Sequence, residues 1–249
     1  MSPKKLLEAL AAGGQGTIAV AAACGIAGII GGTITMTGLA NLMINGIVTV
    51  ANGQVIIALF FTMICCIILG MGVPTTANYC IMAATCAPIL VRMGVPMIAA
   101  HFFVFYFGIV ADLTPPVALA AYAGAAIAQA NPMKTALQAT KLAIAAFVVP
   151  YVFALNPVML FEGNPGVFQV LLIAVTSLIG IFGVSAGLEG WILTKMNPVQ
   201  RVVSAAAGIL LIDPSPLTDV IGVVIIVLII VWQVFQKKKN GSAPNLKAA

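Results

Sequence analysis

The sequence predicts an all-α polytopic membrane protein, and three observations carry that expectation. Of the 249 residues, 62% are hydrophobic and only 7% are charged, whereas a soluble globular domain is about 25% charged. Mean hydropathy is +1.16, and the apolar runs are continuous, which argues against a barrel of strands roughly ten residues long that alternate polar with apolar. Charged residues stand almost everywhere between the runs. At about 20 apolar residues per crossing, the length admits roughly seven or eight hydrophobic passes. The same composition excludes intrinsic disorder and nucleic-acid binding, both of which need far more polar or basic side chains.

The elements follow from those fence posts. Residues 1–16 carry Lys4, Lys5, a short helical stretch around Glu8 and then Gly13-Gly14-Gln15-Gly16. They read as a cytoplasmic N-terminal segment without a signal-peptide cleavage pattern. Residues 17–50 form a transmembrane helix with an amphipathic or broken continuation, and Gly28 and Gly32 make a small-xxx-small pair suited to close helix packing. Residues 54–91 are two apolar arms around Gly70-Met71-Gly72-Val73-Pro74-Thr75-Thr76. Residues 97–128 are too long for one plain span and break at Asp112-Leu113-Thr114-Pro115-Pro116. A polar loop with Asn131, Pro132, Lys134 and Lys141 follows. Residues 142–186 supply two transmembrane helices, 187–235 the C-terminal membrane helices and 236–249 a cytoplasmic tail.

Lysine placement orients the chain. Lys237-Lys238-Lys239 put the C-terminus in the cytoplasm. Counting back, the loop from Asp213 is external, Lys195 and Arg201 are internal, Glu162-Gly163-Asn164-Pro165 is external, and Lys134 with Lys141 is internal. Lys4 and Lys5 are internal, so residues 54–91 begin and end outside. They do so either as two full spans or as a re-entrant hairpin. The uncharged tip favours the hairpin, because irregular backbone at membrane depth belongs where it lines a cavity or is buried in protein.

Two polar interruptions carry the candidate chemistry. Neither Pro115 nor Pro116 has an amide hydrogen, so carbonyls upstream of them lose their helical partners. Asp112 is the one acid inside an apparent span, and an ionisable residue there is a functional candidate by default. In the tip, Gly70 and Gly72 permit unusual backbone angles, and Thr75 and Thr76 offer hydroxyl oxygens. Bared carbonyls and hydroxyls are hard ligands for a small cation. Hairpin tips and half-helix ends meeting in this way coordinate ions and anionic substrates in secondary transporters. The plain alternatives are a tight turn and a helix kink.

The stretch Gly70 to Tyr79, then Ala87-Pro88, Gly94-Val95-Pro96, Ala99-Ala100-His101-Phe102-Phe103-Val104-Phe105-Tyr106 and Leu113-Thr114-Pro115-Pro116-Val117-Ala118-Leu119-Ala120-Ala121-Tyr122 resembles the large membrane subunit of TRAP transporters. Its fused-permease branch, paired with a TAXI-type binding protein, is the nearest in pattern. Lys141-Leu142, Pro150, Asn156-Pro157-Val158-Met159-Leu160 and the tail around Leu210-Leu211-Ile212-Asp213-Pro214 fit the same pattern.

The resemblance implies one half of an inverted-repeat elevator-type transporter, with a re-entrant helical hairpin and a broken helix. It implies uptake of small organic acids driven by Na+, with substrate delivered by an extracytoplasmic solute-binding protein. Carried over by position, the sodium-site neighbourhood is Gly70, Gly72, Thr75, Thr76, Thr114 and Pro115. Asp112, Asn78 and His101 are substrate or coupling candidates. The sequence departs from the family in length: the small-subunit portion and the first repeat do not appear, so the expectation is a C-terminal half. Beyond Na+ no cofactor or metal is expected.

Other readings stay open on the residues. One is another elevator-type sodium/divalent-anion symporter; another is an inactive fragment or membrane scaffold. Gly183-Val184-Ser185-Ala186-Gly187 matches a nucleophile-elbow pattern, but it closes a membrane helix and His101 is the single histidine. An enzyme is therefore not expected, and small residues for helix packing account for the match. Cys24, Cys65, Cys66, Cys80 and Cys86 read as reduced thiols acting as small hydrophobes.

Overall fold

The computed structural model describes residues 3–212 and 215–241, without the side chains of Gly16, Ala19, Val20 and residues 237–241. Asp213, Pro214, the tail 242–249 and Ser242 of the sequon-like Asn240-Gly241-Ser242 lie outside the described residues. Among the described residues every named element is helical, and one isolated bridge pairs Trp191 with Lys195. Three stretches are long and apolar enough to cross a membrane: Pro132–Leu155, Val167–Glu189 and Pro216–Gln236. The chain divides into two units, Met1–Thr140 and Lys141–Ala249.

In the first unit α1 (Pro3–Met36) runs unbroken through Gly13–Gly16, where the sequence placed the end of its N-terminal segment. A helix-interior glycine costs about 1 kcal/mol against alanine without ending the helix. After a left-handed Gly38, α2 (Leu39–Ala51) leaves at 67° to Ala21–Met36. Within the stretch 17–50 the chain thus forms two helices joined at a bend. Next come α3 (Val55–Gly70), the tip Met71–Pro74, α4 (Thr75–Thr85) and α5 (Ala87–Arg92). The chain folds back on itself as a helical hairpin, with α3 against both α4 and α5. Ala27 of α1 packs on Ala77 and Ile81 of α4, where small side chains let the helices approach. Arg92 Nη1 donates to Asn45 Oδ1 at 2.8 Å, tying α5 to α2.

Helix α6 (Met97–Val110) lies along both arms of the hairpin. Its Phe103, Val104 and Phe107 are fully buried, and the two phenyl rings meet tilted at 59° with centroids 4.8 Å apart. A 3₁₀ turn, Ala111–Leu113, precedes the break, and α7 (Leu119–Ile127) follows it as a new helix.

The polar loop expected from Asn131 to Lys141 is instead a helix, α8 (Pro132–Leu142). Asn131 Oδ1 accepts the Lys134 amide at 3.0 Å, an N-cap followed by proline at the first helical position. Its polar residues sit on one face, while Ala136 packs beside Ala118 and Ala121. Polarity was mistaken there for irregularity.

The second unit contains α9 (Ile144–Leu155), a 3₁₀ turn Pro157–Leu160, α10 (Val167–Glu189), α11 (Pro198–Leu210) and α12 (Pro216–Gly241). Helix α11 opens on a capping box formed by Asn197 and Gln200. Contact between α10 and α11 is close because glycines face backbone. A Cβ on Gly187 would sit 2.6 Å from the Arg201 carbonyl, and one on Gly183 would sit 3.1 Å from that of Ser204. Ser204 Oγ donates to the Gly183 carbonyl at 2.8 Å, and Arg201 caps the end of α10 through the Gly187 and Leu188 carbonyls. The Gly183–Gly187 stretch thus serves helix packing, as expected.

Candidate functional site

The tip and the break meet. Gly70 closes α3 at the point where Ala111 begins the 3₁₀ turn: a Cβ on Gly70 would lie 2.8 Å from Ala111 Cβ and 2.6 Å from Asn78 Nδ2. Only glycine fits there. Gly72 has φ +75°, a left-handed angle that L side chains avoid, and it faces Val117 Cγ1 beyond the prolines. Pro74 then presets the turn into α4, whose first residues Thr75 and Thr76 are exposed.

Asn78 is the bolt between the two halves. It is fully buried on α4 and donates from Nδ2 to the Gly108 carbonyl of α6 at 3.1 Å. That carbonyl fixes which end of the amide is the donor. Gly108 makes the space, since a Cβ on it would lie 3.2 Å from Asn78 Nδ2. Among the described residues no donor reaches Asn78 Oδ1. A buried acceptor left without a partner costs about 1–3 kcal/mol, so an oxygen held this way suits a cation or an ordered water. Asn78 is therefore the best placed of the coupling candidates.

The break is organised by local hydrogen bonds. Thr114 Oγ1 donates to the Val110 carbonyl at 2.8 Å and the Thr114 amide to that of Ala111 at 3.2 Å. Thr140 of α8 shares its hydroxyl proton between the Ala136 carbonyl of its own helix at 2.9 Å and the Leu113 carbonyl at 3.2 Å, and Tyr122 donates to the carbonyl of Pro116. Pro116 has no amide hydrogen, so the Asp112 carbonyl loses its ordinary helical partner. The Pro115–Pro116 peptide is cis, and Ala118 is left-handed at φ +35° yet fully buried. The Asp112 side chain lies half-buried in the 3₁₀ turn.

His101 does not join this cluster. It sits on α6 two turns before Gly108, about 10 Å along the axis, with Nδ1 hydrogen-bonded to Tyr79 Oη at 3.0 Å. Tyr79 and His101 border a pocket of about 320 Å³ with Ile98, Phe102 and Phe105. The structure thus brings together Gly70, Gly72, Asn78 and the residues flanking Thr114 and Pro115, and holds His101 apart in a paired role.

Sequence reasoning missed Gly108 and Thr140. A glycine among the bulky aromatics of α6 signals close approach, and that signal was available. Nothing local marks Thr140, whose partner lies 27 residues away.

No curated protein and no solved structure matches the chain. The family model of the tripartite ATP-independent periplasmic transporter, DctM component, matches residues 1–163. That span contains the hairpin, the broken helix and the Asn78 bolt between them, and covers most of the 249 residues. The chain belongs to the DctM family of tripartite ATP-independent periplasmic transporter components.

Proposed function

We propose that this membrane permease component couples uptake of small organic acids to Na+ through the junction of hairpin tip and broken helix. In this reading Na+ takes oxygens from the tip and the break: the Asn78 amide, carbonyls around Gly70 and Asp112, and the Thr75, Thr76 or Thr114 hydroxyls. Pro115 and Pro116 bare the carbonyls. The substrate carboxylate faces the N-terminus of α4, where first-turn amides and the helix dipole favour an anion.

One observation carries the reading above the others: a fully buried oxygen, Asn78 Oδ1, held at the meeting point without a donor. Arm length adds support. Helix α3 has 16 residues, about 24 Å, against a hydrocarbon core of about 30 Å. That suits a re-entrant hairpin better than two full spans. The expected partners are a TAXI-type extracytoplasmic binding protein and the small membrane subunit of tripartite systems. The expected setting is the bacterial inner membrane with the C-terminus in the cytoplasm, where Lys237–Lys239 would lie.

The test is uptake into proteoliposomes containing the chain, an N-terminal first-repeat half, the small membrane subunit and the binding protein. Uptake of a labelled dicarboxylate should need an inward Na+ gradient, and Thr114→Val should raise the Na+ concentration for half-maximal uptake about tenfold. Uptake indifferent to Na+ would remove sodium coupling. An unchanged Thr114→Val response would remove Thr114 from the site.

A further inference from the structure

The second unit has a basic end built around an apolar groove, and we propose that this groove holds one acyl chain of an anionic phospholipid whose headgroup sits among the basic residues. The inference does not depend on transport. Its first leg is geometric. Gln233 of α12 is fully buried and accepts the Leu193 and Thr194 amides at 2.9 and 3.1 Å. This staple sets the height of α12 against the loop between α10 and α11. Lys237 begins one turn beyond Gln233, about 6 Å along the axis, so the lysine run starts about one turn past the loop that carries Lys195, at the same end of the unit as Arg201.

The second leg is charge. That end has Lys195, Arg201, Lys237, Lys238 and Lys239 against Glu189. Lys195 and Arg201 are exposed. Basic residues at a membrane surface attract anionic headgroups.

The third leg is the groove. A pocket of about 380 Å³ between α11 and α12 is lined by Val203, Ile225, Leu228 and Ile229, with Gln200 and Trp232 also at its walls. From Ile225 to Trp232 it follows α12 for two turns. Trp232 is 59% exposed, as an amphipathic ring at the headgroup level would be. An apolar trough leading to a tryptophan and a basic cluster fits an anionic lipid better than a neutral one, which would leave the charge unmatched.

The chain has two tryptophans, which makes the site directly readable. In a Trp191→Phe background, Trp232 fluorescence is followed in vesicles in which dioleoylphosphatidylcholine is replaced stepwise by brominated phosphatidylglycerol or brominated phosphatidylcholine. The expected result is quenching with at least about fivefold preference for phosphatidylglycerol, falling below twofold when Lys237, Lys238 and Lys239 are all changed to glutamine. Equal quenching by the two lipids overturns the proposal, as does a preference the triple variant leaves unchanged. Quenching by neither lipid would mean that a second copy or another protein covers the groove, and also overturns it.

Discussion

Glycine is used in opposite ways in the two units. Between α10 and α11, Gly183 and Gly187 admit backbone. The Gly183 and Gly187 carbonyls nearby accept from Ser204 and Arg201. At the hairpin tip, Gly70 and Gly108 admit a side chain, Asn78, and one end of its amide stays without a donor. Packing of the first kind makes a scaffold. The second kind leaves a buried oxygen bare, at a cost of about 1–3 kcal/mol, where a ligand or an ordered water would restore the missing partner.

Substitutions test that contrast. The largest effect is expected at Gly187, where a Cβ meets the Arg201 carbonyl and neither backbone can yield. Gly187→Leu should cost about 3 kcal/mol or more, the upper end for overpacking. It should appear as loss of folded, monodisperse protein with or without Na+. Next is Gly70→Ala. The added methyl meets the Asn78 amide, which can move, and Ala111 Cβ at 2.8 Å, which moves only with its backbone, so the cost is about 1–3 kcal/mol. The variant should remain folded by circular dichroism while losing any stabilisation by Na+. A Gly70→Ala protein as responsive to Na+ as the parent would separate tip packing from the ion.

Smaller effects test the break. Thr140→Val removes the hydroxyl that caps the Leu113 carbonyl and should cost about 1 kcal/mol in denaturant unfolding; an unchanged midpoint would mean that water replaces it. Ala118→Gly relieves a left-handed alanine worth about 1–2 kcal/mol but loosens the unfolded chain by somewhat less. The net gain should be at most about 1 kcal/mol, and a clear loss would show that the Ala118 methyl is needed beside Ala121 and Ala136.

The tip and the break were legible in the sequence because glycine and proline announce themselves. Gly70, Gly72, Pro74, Pro115 and Pro116 each restrict or free the backbone at their own position. That these segments touch, through Gly70 against Ala111 and Asn78 against Gly108, depends on how α6 lies along the hairpin, and no local signal sets that. Helix α8 was lost for a related reason. Asn131-Pro132 is a helix start, but the lysines that follow resemble a loop until the buried alanine face is seen. His101 entered as a substrate or coupling candidate through the resemblance; its place beside Tyr79, two turns from the junction, could be read only in three dimensions.

The central claim is that the buried oxygen of Asn78 belongs to a cation site. The most direct measurement is the melting midpoint of the purified chain titrated with NaCl against N-methylglucamine chloride at constant ionic strength, in the parent and in Asn78→Leu. A ligand that binds only the folded state raises stability by about 2.7 kcal/mol at a hundred times its dissociation constant. The parent midpoint should therefore climb with Na+, while Asn78→Leu, which loses both the bare Oδ1 and the hydrogen bond to the Gly108 carbonyl, should show no rise with Na+ whatever its starting midpoint. A flat parent curve, or a rise that Asn78→Leu retains, would contradict the account.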